Sequence, residues 1–281
     1  SESSRAKGVS SRKIAKRASM EEIEKIAGWI VDSKRMVVFV GAGLSTESGI
    51  PDFRSPGGVW DRYDPEDFDF HRFLSNEKSR ENYWMMATEM YDSMKDASPN
   101  AGHLAIAELE KLGKLDCLIT QNIDGLHFKA GNSAEKVLEL HGTAMHATCL
   151  DCGKRYEREE VQARLSAGEK APQCAGCGGL LKPATISFGQ PMPERETAEA
   201  YRRSQSSDLF IVVGSSLVVH PAASMPVVAK RAGAKLAIIN RDETACDALA
   251  DLVIRAQAGP VMAAIAGAVK GLMAYGGKSF E

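Results

Sequence analysis

From residue 20 onward the apolar positions fall into a regular order. Ile23, Ile26, Ala27, Ile30 and Val31 recur at helical spacing, and residues 36–40 follow as one continuous apolar, β-branched run. Similar short runs stand at residues 115–119, 137–140, 209–213, 236–239 and 252–254. Helical patterns at 104–112, 222–232 and 261–273 separate several of them. A strand that is apolar throughout, rather than at alternate positions, must be covered on both faces. The order therefore predicts an α/β fold built on a parallel sheet with helices on either side. In such sheets ligands bind beyond the carboxyl ends of the strands.

The residues just after the predicted strands are rich in polar and turn-forming types. The first strand runs into Gly41-Ala42-Gly43-Leu44-Ser45-Thr46, a turn whose backbone amides can approach a pyrophosphate. The dehydrogenase fingerprint needs a third glycine where Thr46 stands and an acidic residue about twenty positions on. The chain continues instead through Gly49-Ile50-Pro51-Asp52-Phe53-Arg54, which argues against hydride transfer. The second strand delivers Gln121, Asn122, Ile123, Asp124 and His127, and the third delivers His141-Gly142. The fourth and fifth end in Gly214-Ser215-Ser216-Leu217 and Asn240-Arg241, types that suit hydrogen bonds to the ribose and base edges of an adenosine. Singly, each residue reads equally as a cap or a turn. Gathered beyond buried strands, such a set is costly to fold unless it meets a ligand.

Cys149, Cys152, Cys174 and Cys177 form two Cys-x-x-Cys pairs. Two disulfides or four unrelated thiols are the alternatives, but segment 148–180 is rich in Gly and charge and poor in apolar residues, so burial alone cannot hold it together. Four thiolates around one zinc ion supply the missing staple. Because they fill the tetrahedral shell, the zinc is expected to be structural rather than catalytic. Cys117 and Cys246 lie in or beside apolar runs without ligand spacing and read as ordinary buried thiols.

With 281 residues, 44% of them hydrophobic, and a formal net charge of -2, the chain can bury a large core and carries no global charge that calls for nucleic acid. Residues 1–19 are polar and basic and read as a solvated tail. They form no apolar leader, and no stretch approaches the roughly 20 apolar residues of a membrane span. A reducing, cytoplasmic setting is expected, which also favours thiolates over disulfides.

In order along residues 20–275, the motifs Gly-Ala-Gly-Leu-Ser from Gly41, Gly-Ile-Pro-Asp-Phe-Arg from Gly49, Thr-Gln-Asn-Ile-Asp from Thr120, His141-Gly142, the four cysteines, Phe188-Gly189, Gly214-Ser215-Ser216-Leu217 and Ile239-Asn240 resemble the sirtuin family of NAD-consuming protein deacylases. The resemblance implies a Rossmann-like NAD-binding domain over residues 20–54, 97–142 and 188–275. It implies a cofactor loop and helical insertion over 55–96 and a small zinc-ribbon domain over 143–187. Gly41, Ala42, Gly43, Ser45, Thr46 and Asp52 would belong to the phosphate and ribose region, and Gly214, Ser215, Ser216, Asn240 and Arg241 to the adenosine side. Phe53 and Arg54 would form part of a mobile cofactor loop. Gln121, Asn122, Ile123 and Asp124 would hold the nicotinamide ribose and carboxamide, with Asn122 and His141 catalytic and His141 the general base.

The chemistry implied is removal of an acyl group, acetyl first, from a protein lysine. The acyl oxygen captures the ribose carbon as nicotinamide leaves, His141 accepts a ribose hydroxyl proton, and water finally releases lysine and an acyl-ADP-ribose. The acyl-lysine would lie against Phe53, Ile186, Phe188, Gly189 and Val218, its peptide added as a strand between segments 185–190 and 214–219. Acylated protein lysines are thus the expected partners, and neither sequence-specific nucleic acid nor a membrane is. Two departures stand out: Ser187 and Gln190 occupy positions where many sirtuins have a large apolar residue and a glutamate. The Tyr-x-x-Arg pair of sirtuins that favour acidic acyl groups has Tyr83 and Met86 as its counterpart, so an acidic acyl group would enter an uncompensated apolar pocket. Met85, Met86, Met90 and Met94 read first as core and second as an adaptable channel. A mono-ADP-ribosyltransferase would use the same cofactor cleavage with another acceptor. A non-catalytic NAD or nucleic-acid binding module is opposed by His141 and Asn122 and by the lack of a basic, aromatic-rich zinc segment.

Overall fold

The computed structural model describes residues 18–52 and 58–276. In chain order its elements are α1 (Met20–Asp32), β1 (Met36–Val40), α2 (Phe70–Ser75), α3 (Glu77–Lys95), α4 (Ala101–Lys111), β2 (Leu115–Thr120), α5 (Leu126–Ala130), β3 (Val137–Glu139), β4 (Gly142–Cys149), β5 (Arg155–Glu157), α6 (Arg158–Ser166), β6 (Leu181–Thr185), α7 (Glu194–Ser206), β7 (Leu209–Val213), α8 (Met225–Arg231), β8 (Lys235–Ile239), β9 (Leu252–Ile254) and α9 (Ala258–Gly276). Short 3-10 turns fill several connections, among them Ala42–Ser48 directly after β1.

The predicted strands form one parallel sheet in the order β3-β2-β1-β7-β8-β9. Alternate residues of the same strands feed opposite cores. Met36, Val38, Val40, Ile211 and Val213 pack under α1, α4 and α9, whereas Val37, Phe39, Phe210, Val212 and Ile238 pack under α7 and α8. This two-sided burial is why the central strands β1 and β7 are apolar at every position. Chain order reverses between β1 and β7, the point at the carboxyl ends of such a sheet where a ligand crevice forms.

Local signals set the helix ends. Ser19 accepts from the Glu22 amide (3.2 Å) while the Glu22 carboxylate takes the Ser19 amide (2.7 Å), a reciprocal cap that starts α1. Ser19 is therefore part of the fold rather than the last residue of a tail. The solvated-tail reading of residues 1–17 lies outside the described residues. The helical pattern at 222–232 divides into a 3-10 turn and α8, where Pro226 stands at the helix start and lacks an amide to donate.

Among the described residues, α9 has the length and apolar composition of a membrane span. That corrects the expectation that no stretch comes near one. In the fold its Val261, Met262, Ile265, Ala266 and Val269 are core residues with α1 and α4, the setting of a buried core helix.

A second, antiparallel sheet in the order β5-β4-β6 carries the four cysteines on and beside its strands. It is joined to the large sheet on both sides of His141: β4 begins at the next residue, and the Ile186 amide donates to the His141 carbonyl at 2.9 Å. Gly142 sits at φ +69°, where a Cβ would stand 2.0 Å from the Ala184 carbonyl oxygen, so glycine is required at this junction. Beside it, α3 turns Tyr83, Met86, Met90 and Met94 into one cluster with Val59, Phe68 and Phe73.

Candidate active site

A cleft of about 270 Å³ opens at the reversal between β1 and β7. The two loops that form its rim touch: the Gly43 amide donates to the Gly214 carbonyl at 2.8 Å. A Cβ on Gly43 would stand 2.8 Å from that oxygen, and one on Gly214, at φ +63°, 2.4 Å from the Leu44 nitrogen. Close approach of the loops thus demands glycine here, a reason the Gly-x-Gly pattern did not reveal.

Ala42, Gly43, Ser45, Thr46 and Asp52 line the cleft from the β1 side, and Gln121, Asn122, Ile123 and Asp124 line it from the end of β2. His141 reaches it after β3, Gly214, Ser215, Ser216 and Val218 after β7, and Asn240 and Arg241 after β8. Gly41 lies behind the wall, its carbonyl accepting from Asn122 Nδ2 at 3.1 Å. Phe53 and Arg54 lie outside the described residues.

Ser45 is the hub of the wall. Its hydroxyl donates to Asp124 Oδ2 at 2.6 Å and accepts from Asn122 Nδ2 at 3.1 Å. The other Asp124 oxygen takes the Leu126 amide at 2.9 Å. His103 Nδ1 accepts the Asn100 amide at 3.3 Å, which leaves Nε2–H facing the Ser45 oxygen at 3.5 Å. Asn122, Asp124 and Ser45 are all buried, so this web holds their polar atoms fixed before any ligand arrives. Across the cleft, Ser215 Oγ donates to Gln121 Oε1 at 2.9 Å. Arg241 pairs with Asp242 at 3.1 Å on the rim.

His141 Nδ1 stands 3.1 Å from the Gln121 carbonyl oxygen. A carbonyl only accepts, so Nδ1 carries the hydrogen and Nε2 the lone pair of the neutral ring. Two residues earlier, Glu139 is pushed up to about 7 by burial and then by the Asp124 charge.

Behind the wall, burial pushes His103 down to about 4, with Asp124 opposing, and burial pushes His127 down to about 3, with both of its ring nitrogens unpartnered among the described residues. The unfolded chain binds protons at these sites near pH 6.5 and the folded chain only near pH 4 and below. Each histidine is therefore expected to lower stability by about 1 kcal/mol per pH unit as pH drops from about 6.5 to 4, with Glu139, protonated near 7 in the folded chain, offsetting about one of the two, so that a net fall remains. Chemical denaturation across that range would show it, and a flat profile would refute the buried neutral pair.

A second cleft, of about 300 Å³, shares Gln121, Ile123, His141 and Val219 with the first. Ile186, Phe188 and Gly189 line it as expected, while Val218 lines only the first cleft. Met86 and Met90 also line it, Met94 lines the first cleft, and Met85 turns to solvent. The methionine stripe is thus core and cleft wall at once. The Ser187 hydroxyl lies 2.8 Å from the Tyr83 hydroxyl, and Gln190 Oε1 accepts the Ser187 amide at 3.1 Å.

The four cysteine sulfurs all lie within 4.8 Å of one another, with Cys149 to Cys177 at 3.5 Å and Cys152 to Cys174 at 3.7 Å. Disulfide sulfurs sit about 2.05 Å apart, whereas thiolates at about 2.3 Å from a shared tetrahedral ion stand about 3.8 Å from each other. The donor set fits structural zinc, with every coordination position filled by protein. Cys117 and Cys246 are buried thiols away from any such cluster, and burial pushes Cys117 up to about 12.

Tyr83, the counterpart of the acyl-pocket tyrosine, lines the second cleft, while sequence reasoning missed Arg158 and His220 there and Glu47 and Asp242 in the first. None follows a predicted strand closely enough to be marked by position alone, except Asp242, which stands two residues beyond Asn240.

A polar crevice at the reversal point of a doubly wound parallel sheet, with a four-thiolate sheet joined at one wall, defines a dinucleotide-binding α/β protein with a zinc module. Residues 41–221 match the family model described as "Sir2 family". The NAD-dependent protein deacetylase 1 of Bradyrhizobium diazoefficiens is 46% identical over 245 residues, 87% of this chain and 95% of that one. The NAD-dependent protein deacylase 2 of Archaeoglobus fulgidus is 44% identical over 254 residues, 90% of this chain and 98% of that one. Among solved structures, a Sir2 enzyme bound to a propionylated peptide is similar with a TM-score of 0.77 and 36% identity, covering 92% of this chain and 100% of that one. The chain belongs to the Sir2 family.

Proposed function

We propose that this protein is an NAD-dependent protein-lysine deacylase, with acetyl-lysine among its substrates. The observation that carries the reading is the meeting of two clefts at His141, one polar and placed for a dinucleotide, the other largely apolar and placed for an acyl-lysine. Residues 20–54, 97–142 and 188–275 would act as the cofactor domain, 55–96 as the loop and helical insertion, and 143–187 as the zinc module. Four cysteines kept as thiolates suit a reducing cytoplasm.

NAD, when bound, supplies a ribose carbon from which nicotinamide can leave. The chain's own groups then have distinct tasks. Ala42, Gly43, Ser215, Ser216 and Asn240 present small side chains and backbone dipoles to phosphate and adenosine. Asn122 and Asp124, locked by Ser45, hold the nicotinamide ribose in one orientation, so little reorganisation accompanies reaction. His141, with its hydrogen held on Nδ1 by the Gln121 carbonyl, keeps an Nε2 lone pair able to take a hydroxyl proton. Ile186, Phe188 and Val219 screen the acyl-lysine from water.

The test is mass spectrometry of an acetyl-lysine peptide incubated with the protein, with and without NAD. Loss of the acetyl group with NAD alone, alongside a soluble acetyl-ADP-ribose, is expected. Label from NAD carried onto protein, with the peptide untouched, would favour ADP-ribosyl transfer instead.

A further inference from the structure

The turn that forms the β1 side of the first cleft, Ala42–Ser48, has no side-chain cap of its own, because the residue before it is Gly41. A short 3-10 turn is weakly hydrogen-bonded in itself, so its shape has to be imposed from behind. Asn100, the residue that caps α4, is placed to do this. Its Oδ1 accepts the Gly102 amide at 2.9 Å and the His103 amide at 3.4 Å, which starts the helix. Its Nδ2 donates to the Leu44 carbonyl at 2.7 Å and to the Ser48 hydroxyl at 3.0 Å, at either end of the turn's second half. Its backbone amide donates to His103 Nδ1 at 3.3 Å.

The side-chain amide fits only one way round. Two N–H groups on the α4 side demand an acceptor, and the Leu44 carbonyl on the other side demands a donor. The surfaces it joins are in contact: a Cβ on Gly102 would stand 2.5 Å from Leu44 Cδ1 and 3.1 Å from Gly259 Cα. The first turn of α4, the 42–48 turn and the start of α9 thus meet at one point, and Glu47 accepts the Gly259 amide there at 2.9 Å. Between the two anchors of Nδ2 lie Ser45, Thr46 and Glu47, all in the lining of the first cleft, whereas Asn100 itself stands behind it. Ser45 in turn fixes Asn122 and Asp124.

We propose that Asn100 is a positioning residue for the dinucleotide, holding the 42–48 turn in its binding shape before NAD arrives, so that the cofactor does not have to order it. This rests on the first cleft being the NAD site of the deacylase reading.

Capping and anchoring use different atoms, so substitution can separate them. Asn100→Asp keeps the oxygen that caps α4 and replaces both Nδ2 donors with an acceptor facing the Leu44 carbonyl. Asn100→Ser keeps a capping hydroxyl that is too short to reach the turn. In either variant the KM for NAD and its calorimetric Kd are expected to rise about tenfold or more, the worth of two hydrogen bonds. At saturating NAD, kcat should stay within about threefold, because the bound cofactor reseats the turn beside an intact Asn122, Asp124 and His141. Ser19→Ala removes the cap of α1 instead and should lower thermal stability with NAD affinity unmoved. A folded Asn100→Asp or Asn100→Ser that binds NAD as tightly as the unaltered protein would overturn the proposal, as would a loss of kcat with affinity unchanged. One readout needs no variant: the Leu44 and Gly49 amides, bonded within the turn, should exchange slowly with solvent before NAD is added. Exchange at the rate of an unfolded chain until NAD binds would overturn the proposal even if neither variant folded. Weakened NAD binding in the variants of a protein that turns over no acyl peptide would sink the deacylase reading and leave this one standing, whereas an unaltered protein that binds no NAD would sink both.

Discussion

Cys174→Ala is expected to abolish zinc binding, melt the β4–β5–β6 sheet and reduce deacylation by more than about 100-fold. The energetics leave little choice. The cluster under this sheet consists of Trp84, Ala147, Cys149, Tyr156, Val161, Cys174 and Leu181, so two of its seven members are themselves metal ligands. A core that small does not offset the entropy of ordering the segment, while structural zinc supplies on the order of 10 kcal/mol. The damage would reach the active site through the chain itself. His141 is followed directly by β4, and its carbonyl holds the Ile186 amide just beyond β6. Loss of the sheet releases both restraints on the histidine. Metal analysis should fall from about one zinc per chain to none, and hydrogen exchange should rise across β4 to β6 while the large sheet stays protected. Cys117→Ala, made in the other core, is the control and should retain its metal. A Cys174→Ala protein with full zinc and full turnover would dismiss the four-thiolate site.

How much of this could be read from residues alone depended on where the physical cause lay. Strands β1 and β7 were legible to the residue because burial on both faces leaves a continuous apolar run. Helices α6 and α7 were not. Within α6 only Arg158 and Val161 are buried, and within α7 only Ala200 and Ser204, so neither carries an apolar stripe. The polar wall of the first cleft was legible for a local reason: Asn122, Asp124, His141 and Ser215 each follow a strand within a few residues. Arg158 and Lys182 were invisible because a cation in a short helix or a strand reads as a solvated face. Only tertiary packing reveals that both are buried, against Trp84 and Tyr91 in the one case and Tyr83 in the other. The glycines were found for one reason and proved necessary for another, the mutual approach of two loops, which a single sequence does not encode as a pattern.

His141→Ala is expected to lower kcat for acetyl-lysine by about 10² to 10⁴ while NAD affinity changes little. The argument turns on what the ring does that its neighbours cannot. Asn122 and Asp124 are already committed, the amide to Gly41 and Ser45 and the carboxylate to Ser45 and Leu126. Removing the imidazole leaves those bonds intact, so the cofactor's ribose would still find its ligands. What disappears is a lone pair whose position is set by the Nδ1 contact to the Gln121 carbonyl, at the point where the two clefts join. Binding and chemistry should therefore separate: calorimetric NAD affinity within about threefold of the unaltered protein, and turnover reduced by orders of magnitude. Asp124→Asn should behave differently. It replaces the acceptor of the Ser45 hydroxyl and of the Leu126 amide with a group that can satisfy only one of them equally well, loosening the wall and weakening NAD binding together with turnover. If His141→Ala instead lost NAD affinity and kcat in parallel, the histidine would be a wall residue like Asp124, and the proton acceptor would have to be sought elsewhere, with Glu139, pushed up to about 7, the nearest titratable group along the chain.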